Sequence, residues 1–200
     1  MISFPQSYRK RGYLLATGQV TSYGSGTGVD DGALQKGIAK AYTILTTGQY
    51  SGTTSITINS KTDVHSNNCV FDNNTGLMWS RYAAASVGPS SNGTLPWTTT
   101  GSGATAEGIF PYVLAANTAS LSGFSDWRIP NIFELMSILS NEAPSGIPNA
   151  TAFPSWSSST YWSSTTETSD TTKAINLNFL NATQSAALKT ATARCALVRG

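Results

Sequence analysis

The sequence predicts an α+β fold, and three observations support this class. Of the 200 residues, 40% are hydrophobic and 10% aromatic but only 11% are charged, which supplies enough apolar surface for a folded core. Segments that alternate apolar and polar residues lie both early and late in the chain, as expected of strands. Two segments with helical spacing lie between them. This order predicts a domain with two helices and a twisted antiparallel sheet, in which the N- and C-terminal strands are neighbours.

Residues 1–60 are predicted to form an extended N-terminal arm. They consist mainly of glycine-rich turns and short extended pieces. The best-patterned piece is TSITINS, in which Ile56 and Ile58 alternate with polar residues and predict a half-buried strand. From residue 61 onward the apolar pattern becomes more regular. We therefore divide the chain into an arm or attachment segment, 1–60, and a folded domain, 61–200.

The folded domain is predicted to begin with a β-hairpin, followed by a long polar loop and a helix. In CVFDNNTGLMW, one apolar run starts at Cys69 and another ends at Trp79. They flank Asp, Asn and Gly residues, which tolerate left-handed backbone geometry in turns. In EGIFPYVLAANTASLSG the apolar residues recur at helical spacing, with Pro111 in the first turn and Gly123 at the end.

The segment SDWRIPNIFELMSIL predicts the second helix. Asn131 and Glu134 have the spacing of a capping box, in which each side chain accepts a hydrogen bond from the other residue's backbone. Trp127 and Ile129 precede Pro130 in an extended segment that points into the core. The apolar residues of the helix cover a wide arc, so we expect it to be mostly buried. They are Ile132, Phe133, Leu135, Met136, Ile138 and Leu139.

The C-terminal part of the chain is predicted to form strands. TYWSSTT and AINLNFL alternate with period two, and the final RCALVRG reads as a last strand through Cys195. If the terminal strands are neighbours, Cys69 and Cys195 lie close together. Two interpretations stay open for them: a disulfide, or two small buried apolar side chains.

Several motifs, in this order, resemble one known family. They are TGQ…SYGSG…DDGALQKG, VFDNNTGLMWSR, LSGFSDWRIPNIFELMSIL, YWSSTT and ALVRG, of which GLMW and DWRIPN are the most specific. The chain resembles the Lcl C-terminal-domain family over about residues 61–200. That module ends a bacterial collagen-like adhesin and occurs in many bacterial and phage proteins. The resemblance implies a C-type-lectin-like fold, a framework for binding glycans and proteins.

Metal and cofactor sites are not expected. The segment NSKTDVHSNNC, which precedes the hairpin, offers few carboxylates for calcium, and the Glu-Pro-Asn and Trp-Asn-Asp motifs of calcium-dependent lectins are absent. Cys69, Cys195 and His65 are too few for a closed zinc site. We therefore expect no cofactor and no calcium-dependent sugar binding.

Enzymatic activity is not expected either. His65 lies in a polar segment without a GxSxG motif and is interpreted as a surface residue. The formylglycine-generating relatives of the fold need a reactive cysteine pair, whereas Cys195 lies in a predicted core strand. Carboxyl pairs for glycoside hydrolysis would have to come from Asp126, Glu134, Glu142, Glu167 and Asp170. Glu134 is already explained by its cap, and Asp126 by a backbone-orienting role beside Trp127.

The predicted ligand-binding face follows from the resemblance. In lectin-like folds the loops after the second helix are variable, and here they correspond to residues 143–173 and 180–192. Aromatic rings stack on sugars while amides and hydroxyls bind sugar hydroxyls. Tyr161 and Trp162 are assigned to the core, whereas core packing and ligand contact are equally open for Trp156. The candidate ligand-binding residues are Asn149, Trp156, Ser158, Asp170, Asn181 and Gln184.

Charge and hydropathy exclude some partners. The formal charge is +2 with scattered basic residues, so we expect no nucleic-acid partner. No stretch approaches the roughly 18 apolar residues of a membrane span, so no membrane insertion is expected. The N-terminus lacks the apolar core of a signal peptide, which predicts synthesis in a cytoplasm. The uncharged polar composition is nevertheless typical of proteins that act outside cells.

A virion component satisfies both observations. We expect a phage virion structural protein, a fibre- or decoration-type adhesin whose arm binds other virion proteins and whose domain binds a host-surface glycan or protein. A homo-oligomer is expected, with a trimer favoured. Three alternatives remain: a purely structural capsid- or tail-stabilising protein without glycan binding, a bacterial adhesin domain, and a bacterial enzyme or sensor domain.

Overall fold

The protein has the α+β fold that the sequence predicts, with strands in three sheets rather than one. The computed structural model describes residues 14–24, 30–81, 93–99, 106–142, 146, 148–154 and 156–200. Within these residues the helices are α1 (Asp31–Leu34), α2 (Ile109–Thr118) and α3 (Ile132–Ile138). The two predicted helices are α2 and α3, and α1 is a single turn that the sequence reading did not include.

The four-stranded sheet contains the predicted hairpin, which is confirmed. Its order is β1 (Tyr42–Leu45), β4 (Cys69–Asp72), β5 (Met78–Ser80) and β11 (Val198–Arg199), with each neighbouring pair antiparallel. Gly76, at a φ of 77°, closes the β4–β5 turn and donates its N–H to the Asp72 carbonyl at 2.9 Å. The last strand therefore lies beside the first hairpin of the predicted domain.

The five-stranded sheet holds most of the C-terminal half. Its order is β6 (Thr94–Pro96), β10 (Thr192–Arg194), β7 (Thr160–Thr166), β8 (Lys173–Asn178) and β9 (Thr183–Leu188). The β10–β7 pair is parallel and the other neighbours are antiparallel. β6 lies within the loop predicted after the first hairpin, and β9 lies within the segment 180–192 that was predicted as a loop.

The third sheet is the hairpin of β2 (Thr53–Ile58) and β3 (Lys61–Ser66). The predicted boundary at residue 60 falls in its turn. Ile56 and Ile58 are buried in the core against α2, and β1 pairs with β4, so described residues 42–60 share their packing with the later strands. Residues 1–13, the start of the predicted arm, lie outside the described residues.

Strand β3 places polar side chains inward and an apolar one outward. Asp63 and His65 are buried, whereas Val64 is exposed. The register explains this inversion, because Asp63 lies opposite Ile56 and directly opposed residues share a face of the sheet. The interpretation of His65 as a surface residue is therefore wrong: its Nε2 lies 3.4 Å from Ser80 Oγ, inside the protein.

The capping box of α3 is confirmed, but the prediction of a mostly buried helix is wrong on one side. Asn131 Oδ1 accepts from the Glu134 N–H at 2.9 Å, and Glu134 Oε2 accepts from the Asn131 N–H at 2.8 Å. Phe133 is 78% exposed and Met136 42% exposed. The helix has seven residues, or about two turns, and contacts β7 and β8. The side that faces these strands buries Ile132, Leu135 and Ile138, whereas Phe133 and Met136 lie on the other side.

Helix α2 is confirmed and ends at Thr118, earlier than predicted. Gly123 instead ends a short 3-10 turn, Leu121–Gly123. Trp127, in the extended segment before α3, is buried, and its indole N–H donates to the Leu121 carbonyl at 2.9 Å. The helix and the strand-to-helix corner are thereby joined by one aromatic side chain.

Both cysteines are buried free thiols. Of the two interpretations, the structure therefore supports two small buried side chains and not a disulfide. Both belong to the core cluster that also contains Trp127 and Trp162. Burial raises the pKa of Cys69 to about 11 and that of Cys195 to about 12, with Asp63 adding to the second shift. The thiols therefore stay protonated at neutral pH.

The end of the chain connects the two larger sheets. β10 lies between β6 and β7 in one sheet, and β11 forms the edge of the other after only three intervening residues. Arg128 and Val198 exchange backbone hydrogen bonds, both at 2.9 Å, which attach the segment before α3 to β11. Residues 192–199 thus run from the five-stranded sheet, through β10, to the four-stranded sheet, through β11.

Candidate ligand-binding cleft

A cleft of about 550 Å³ lies between the N-terminal segment and the C-terminal end of α3. Its lining is mostly apolar, with a small number of polar side chains, as is typical of ligand sites. Lys40 and Tyr42 come from the segment before and within β1, and Asn149 comes from the opposite wall. The other lining residues are Ala16, Gly18, Gln19, Val20, Gln35, Gly37, Ala39, Ile138, Ser140, Pro148 and Ala150.

Two carboxylates hold the N-terminal wall of the cleft. Glu142 Oε2 accepts from the Val20 N–H at 2.6 Å and from the Thr21 N–H at 3.1 Å. Asp30 accepts from the backbone N–H groups of Tyr23, at 2.7 Å, and Gly24, at 2.8 Å, and it also caps α1. These charge-assisted hydrogen bonds fix a segment that has little apolar burial of its own.

Glycine permits the close packing of this wall. Gly37 has a φ of 105°, and a Cβ there would lie 2.7 Å from the Ala16 nitrogen. Residues beside it form a parallel bridge between Leu15 and Ile38. A larger residue would therefore separate the two chain segments that line the cleft.

Lys40 supplies the cationic group of the cleft. Its Nζ donates a hydrogen bond to the Leu139 carbonyl at the end of α3. Burial lowers the pKa of the ammonium to about 8, although nearby Asp72 opposes the shift. Lys40 is therefore mostly protonated at neutral pH and becomes a neutral amine in mildly alkaline solution.

Tyr42 supplies a hydroxyl that has no partner. The oxygen is buried and forms no hydrogen bond, which costs roughly 1–3 kcal/mol when nothing compensates. Burial, and then the Asp72 charge, raise the pKa of this phenol well above its usual value, so it stays protonated. Its ring meets Phe153 edge-on, with centroids 5.4 Å apart.

Two more unpartnered donors belong to tryptophans that pack on the same phenylalanine as Tyr42. The indole N–H groups of Trp79 and Trp156 are buried without an acceptor. Both rings also pack against Phe153, with centroids 6.4 Å and 5.3 Å from it. Three side chains that carry an unpartnered donor therefore pack against Phe153, and Tyr42 is the one of them that lines the cleft.

A match to one protein family covers the part of the chain that contains the GLMW and DWRIPN motifs. Residues 68–199 match the model of the Lcl C-terminal domain. The chain belongs to the Lcl C-terminal domain family. No match was found among curated proteins. The matched range begins just before β4, so the cleft combines one wall from the Lcl C-terminal domain with another from the segment that precedes it.

Of the six predicted ligand-binding residues, Asn149 lines the cleft. Its Oδ1 accepts from the Thr151 and Ala152 N–H groups, both at 3.0 Å, which shapes the wall. Trp156 is only 6% exposed and stacks on Tyr161 with centroids 4.7 Å apart, so the core-packing interpretation describes it. Tyr161 and Trp162 are also buried, as expected.

The other predicted ligand-binding residues do not converge on one site. Ser158 is exposed before β7, and Gln184 is exposed on β9. Asn181 lies in the β8–β9 turn, where its Oδ1 accepts from the Thr183 hydroxyl at 2.7 Å. Asp170 pairs with a lysine in the β7–β8 turn, at the other end of the six-residue strand β8. The two turns are thus about 20 Å apart.

Sequence reasoning missed Lys40 and Tyr42. Both lie in GIAKAYTIL, within the predicted arm, and a single lysine and tyrosine carry no motif. An apolar alternation around Ile38, Tyr42 and Ile44 was the available signal for a strand here, and it did not indicate a site.

The acidic residues considered for hydrolysis are all engaged in hydrogen bonds. Arg199 binds Asp126 at 2.6 Å and 3.0 Å, and Arg128 binds Glu134 through two contacts of 2.7 Å. Glu167 accepts from the Ser169 hydroxyl at 3.2 Å. Glu142 accepts from the Val20 N–H at 2.6 Å, and Asp170 lies 3.1 Å from the Lys173 ammonium. Each of these carboxylates therefore has a local structural explanation.

Metal-ion clusters and membrane-spanning helices are both absent from the part of the chain that the structure describes. Within it, no group of three His, Cys, Asp or Glu side chains is placed to hold a metal ion. None of the described helices is both long enough and apolar enough to span a membrane.

Proposed function

We propose that the protein is a binding module of the adhesin type and that the cleft beside β1 is its ligand site. The observation that carries this proposal is the buried, unpartnered hydroxyl of Tyr42, a residue that lines the cleft together with Lys40. A ligand that supplies an acceptor oxygen would remove the cost of the unpaired hydroxyl. Family membership supports an adhesin-like role.

The chemistry of the cleft favours an oxygen-rich ligand such as a glycan. Lys40 provides only donors, and the Tyr42 hydroxyl provides one donor as well as acceptor capacity. The walls around them, including Val20, Ile138 and Pro148, are apolar and suit the nonpolar face of a sugar ring. The proposed ligand is a glycan on a host surface, bound without metal.

The proposed biological setting is a phage particle. In this proposal the domain is exposed on the virion as a fibre- or decoration-type adhesin, and the N-terminal residues attach it to other virion proteins. Mass spectrometry of purified particles tests the setting. Absence of the chain from particles would favour the bacterial adhesin domain instead.

A glycan array with matched variants tests the site. Tyr42→Phe removes only the unpartnered hydroxyl, so the fold should be unaffected while binding weakens by about tenfold or more. Lys40→Met should also weaken binding strongly, because it removes the ammonium donor. Thr171→Ala, in the exposed β7–β8 turn that contributes no residue to the cleft lining, is the control and should bind like the wild type. Wild-type binding by both Tyr42→Phe and Lys40→Met would overturn the assignment.

The titration of Lys40 gives the same site a pH signature. If the ammonium donates to the ligand, affinity should fall by about tenfold per pH unit once the pH exceeds the lysine pKa of about 8. The Lys40→Met variant, measured for residual binding at high ligand concentration, should show no such slope. A pH-independent wild-type affinity between pH 7 and about 10 would contradict a direct role for Lys40.

A purely structural particle protein is the second candidate, and one observation favours it. β9 forms an uncharged, exposed edge of the five-stranded sheet, which is suited to contact with other chains. The absence of binding to any glycan on the array, together with presence in particles, would place this candidate first.

A further inference from the structure

β9 is an open edge of the five-stranded sheet. It pairs with β8 along all six of its residues, from Thr183 opposite Asn178 to Leu188 opposite Lys173. No strand in the described part of the chain pairs with its other side. Five of its six residues are exposed, including Leu188, whose side chain is 53% exposed.

The register shows which backbone groups face outward. The Lys189 N–H donates to the Thr172 carbonyl at 2.9 Å, so residue 189 points its backbone groups toward β8. Backbone groups alternate in direction along an antiparallel strand. Residues 187, 185 and 183 therefore also face β8, whereas Gln184, Ala186 and Leu188 direct their N–H and C=O groups to the open side.

The edge lacks the features that usually block pairing. The segment TQSAAL contains no charge and no proline, and its pairing with β8 is regular, unlike the irregular β7–β8 register. Lys189, which directly follows the strand, is turned away: its Nζ lies 4.0 Å from the centre of the Trp97 ring and donates to Thr166 Oγ1 at 3.0 Å. The edge is therefore competent to accept another strand.

We propose that β9 pairs antiparallel with β9 of a second copy of the chain, about a two-fold axis at Ala186. This register places Ala186 opposite its own copy and Gln184 opposite Leu188, so the outward backbone groups meet outward backbone groups. A second copy suits the edge because an uncharged strand opposes no like charges when it pairs with itself. The pairing would join two five-stranded sheets through a closed, isologous contact.

The proposal predicts a dimer of low affinity rather than the trimer expected from the sequence. A ladder from Gln184 to Leu188 buries much less than the roughly 1,200 Å² typical of stable interfaces. Association should therefore depend on concentration in solution and gain strength when many copies are held on one surface. It does not depend on whether the cleft binds a ligand.

Disulfide trapping tests the register. Directly opposed, hydrogen-bonded residues of antiparallel strands have Cα atoms about 5.5 Å apart, a distance that a disulfide can span. Ala186→Cys should therefore cross-link readily under mild oxidation. Thr171→Cys, an exposed residue in the β7–β8 turn, is the matched control and should stay largely uncross-linked. Wild-type protein is the blank, because Cys69 and Cys195 are buried.

A second variant tests the association without a cross-link. Ala186 is exposed, so Ala186→Lys should leave the circular dichroism spectrum unchanged while placing two ammonium groups near the axis. Sedimentation equilibrium over a concentration series should show dimers for the wild type and monomers for Ala186→Lys. Equal cross-linking of the two cysteine variants, or the same association in wild type and Ala186→Lys, would overturn the proposal.

Discussion

Replacing Glu134 by alanine is expected to lower the free energy of unfolding by about 2 kcal/mol. The carboxylate accepts from both terminal nitrogens of Arg128 at 2.7 Å and from the Asn131 N–H at 2.8 Å. Arg128 in turn exchanges backbone hydrogen bonds with Val198. Glu134 therefore joins the start of α3 to the last strand of the four-stranded sheet.

The magnitude follows from the exposure of each partner. The Arg128 side chain is 40% exposed, so its ion pair with Glu134 is screened and contributes about 1 kcal/mol despite the bidentate geometry. The hydrogen bond to the Asn131 N–H and the negative charge in the first turn of α3 contribute about 1 kcal/mol more. For a chain of this size the melting temperature should fall by about 4–8 °C.

Urea denaturation of wild type, Glu134→Ala, Arg128→Met and the double variant measures the pair by a thermodynamic cycle. Glu134→Gln is the conservative control, because it keeps an acceptor for Asn131 and loses the charge. Burial opposes ionisation of Glu134, but the hydrogen bonds from Arg128 and Asn131 outweigh it and lower its pKa. Its contribution should thus be complete above about pH 4.5 and disappear as the pH falls through the lowered pKa.

Two results would refute this account of Glu134. A loss below about 0.5 kcal/mol for Glu134→Ala would mean that the cap and the ion pair are not stabilising. A coupling energy of zero between Glu134 and Arg128 would mean that the two 2.7 Å contacts do not stabilise the folded state.

Three further perturbations have defined outcomes. Trp156→Ala leaves a cavity at a buried aromatic site, so it should lower the free energy of unfolding, measured by urea denaturation, by about 3–5 kcal/mol. A loss below about 1 kcal/mol would mean that the site is solvated. Gly32→Ala should loosen the N-terminal wall of the cleft, because a Cβ at this position would lie 1.9 Å from the Thr21 carbonyl oxygen. Limited proteolysis near residues 14–24 should then be faster than in the wild type, and an unchanged cleavage rate would contradict this account. The raised pKa values of Cys69 and Cys195 mean that their contribution to stability is complete below about pH 9 and is lost at higher pH, as the unfolded thiols ionise first. In a series of melting temperatures that starts at pH 8, the wild type should therefore decline above about pH 9, and Cys195→Ala should decline less steeply.

The parts of the fold that could be predicted are those in which local chemistry decides. The β4–β5 turn needs Gly76, and the capping box needs Asn131 and Glu134 at a fixed spacing, so both can be read from a few letters. The exposure of Phe133 could not be read in this way. The apolar residues of α3 cover a wide arc, wider than one packing contact can bury, and only the packing partner decides which part of the arc is covered.

The candidate cleft was harder to predict because distant segments form it. Lys40 precedes β1 and Tyr42 is its first residue, whereas Ile138 and Asn149 lie about a hundred residues later. Their proximity depends on the β1–β4 pairing and on backbone hydrogen bonds to Glu142, which are long-range contacts without a local pattern. His65 shows the same limit, since its burial follows from the register with β2.

The placement of β10 and β11 has a consequence for biosynthesis. β10 fills the position between β6 and β7, and β11 completes the edge beside β5, so neither large sheet is whole until residues 192–199 have left the ribosome. A nascent chain stalled before this point would expose two incomplete sheet edges at once. Truncated translation products should consequently be recognised and degraded, which would restrict assembly to chains that have been translated through this region.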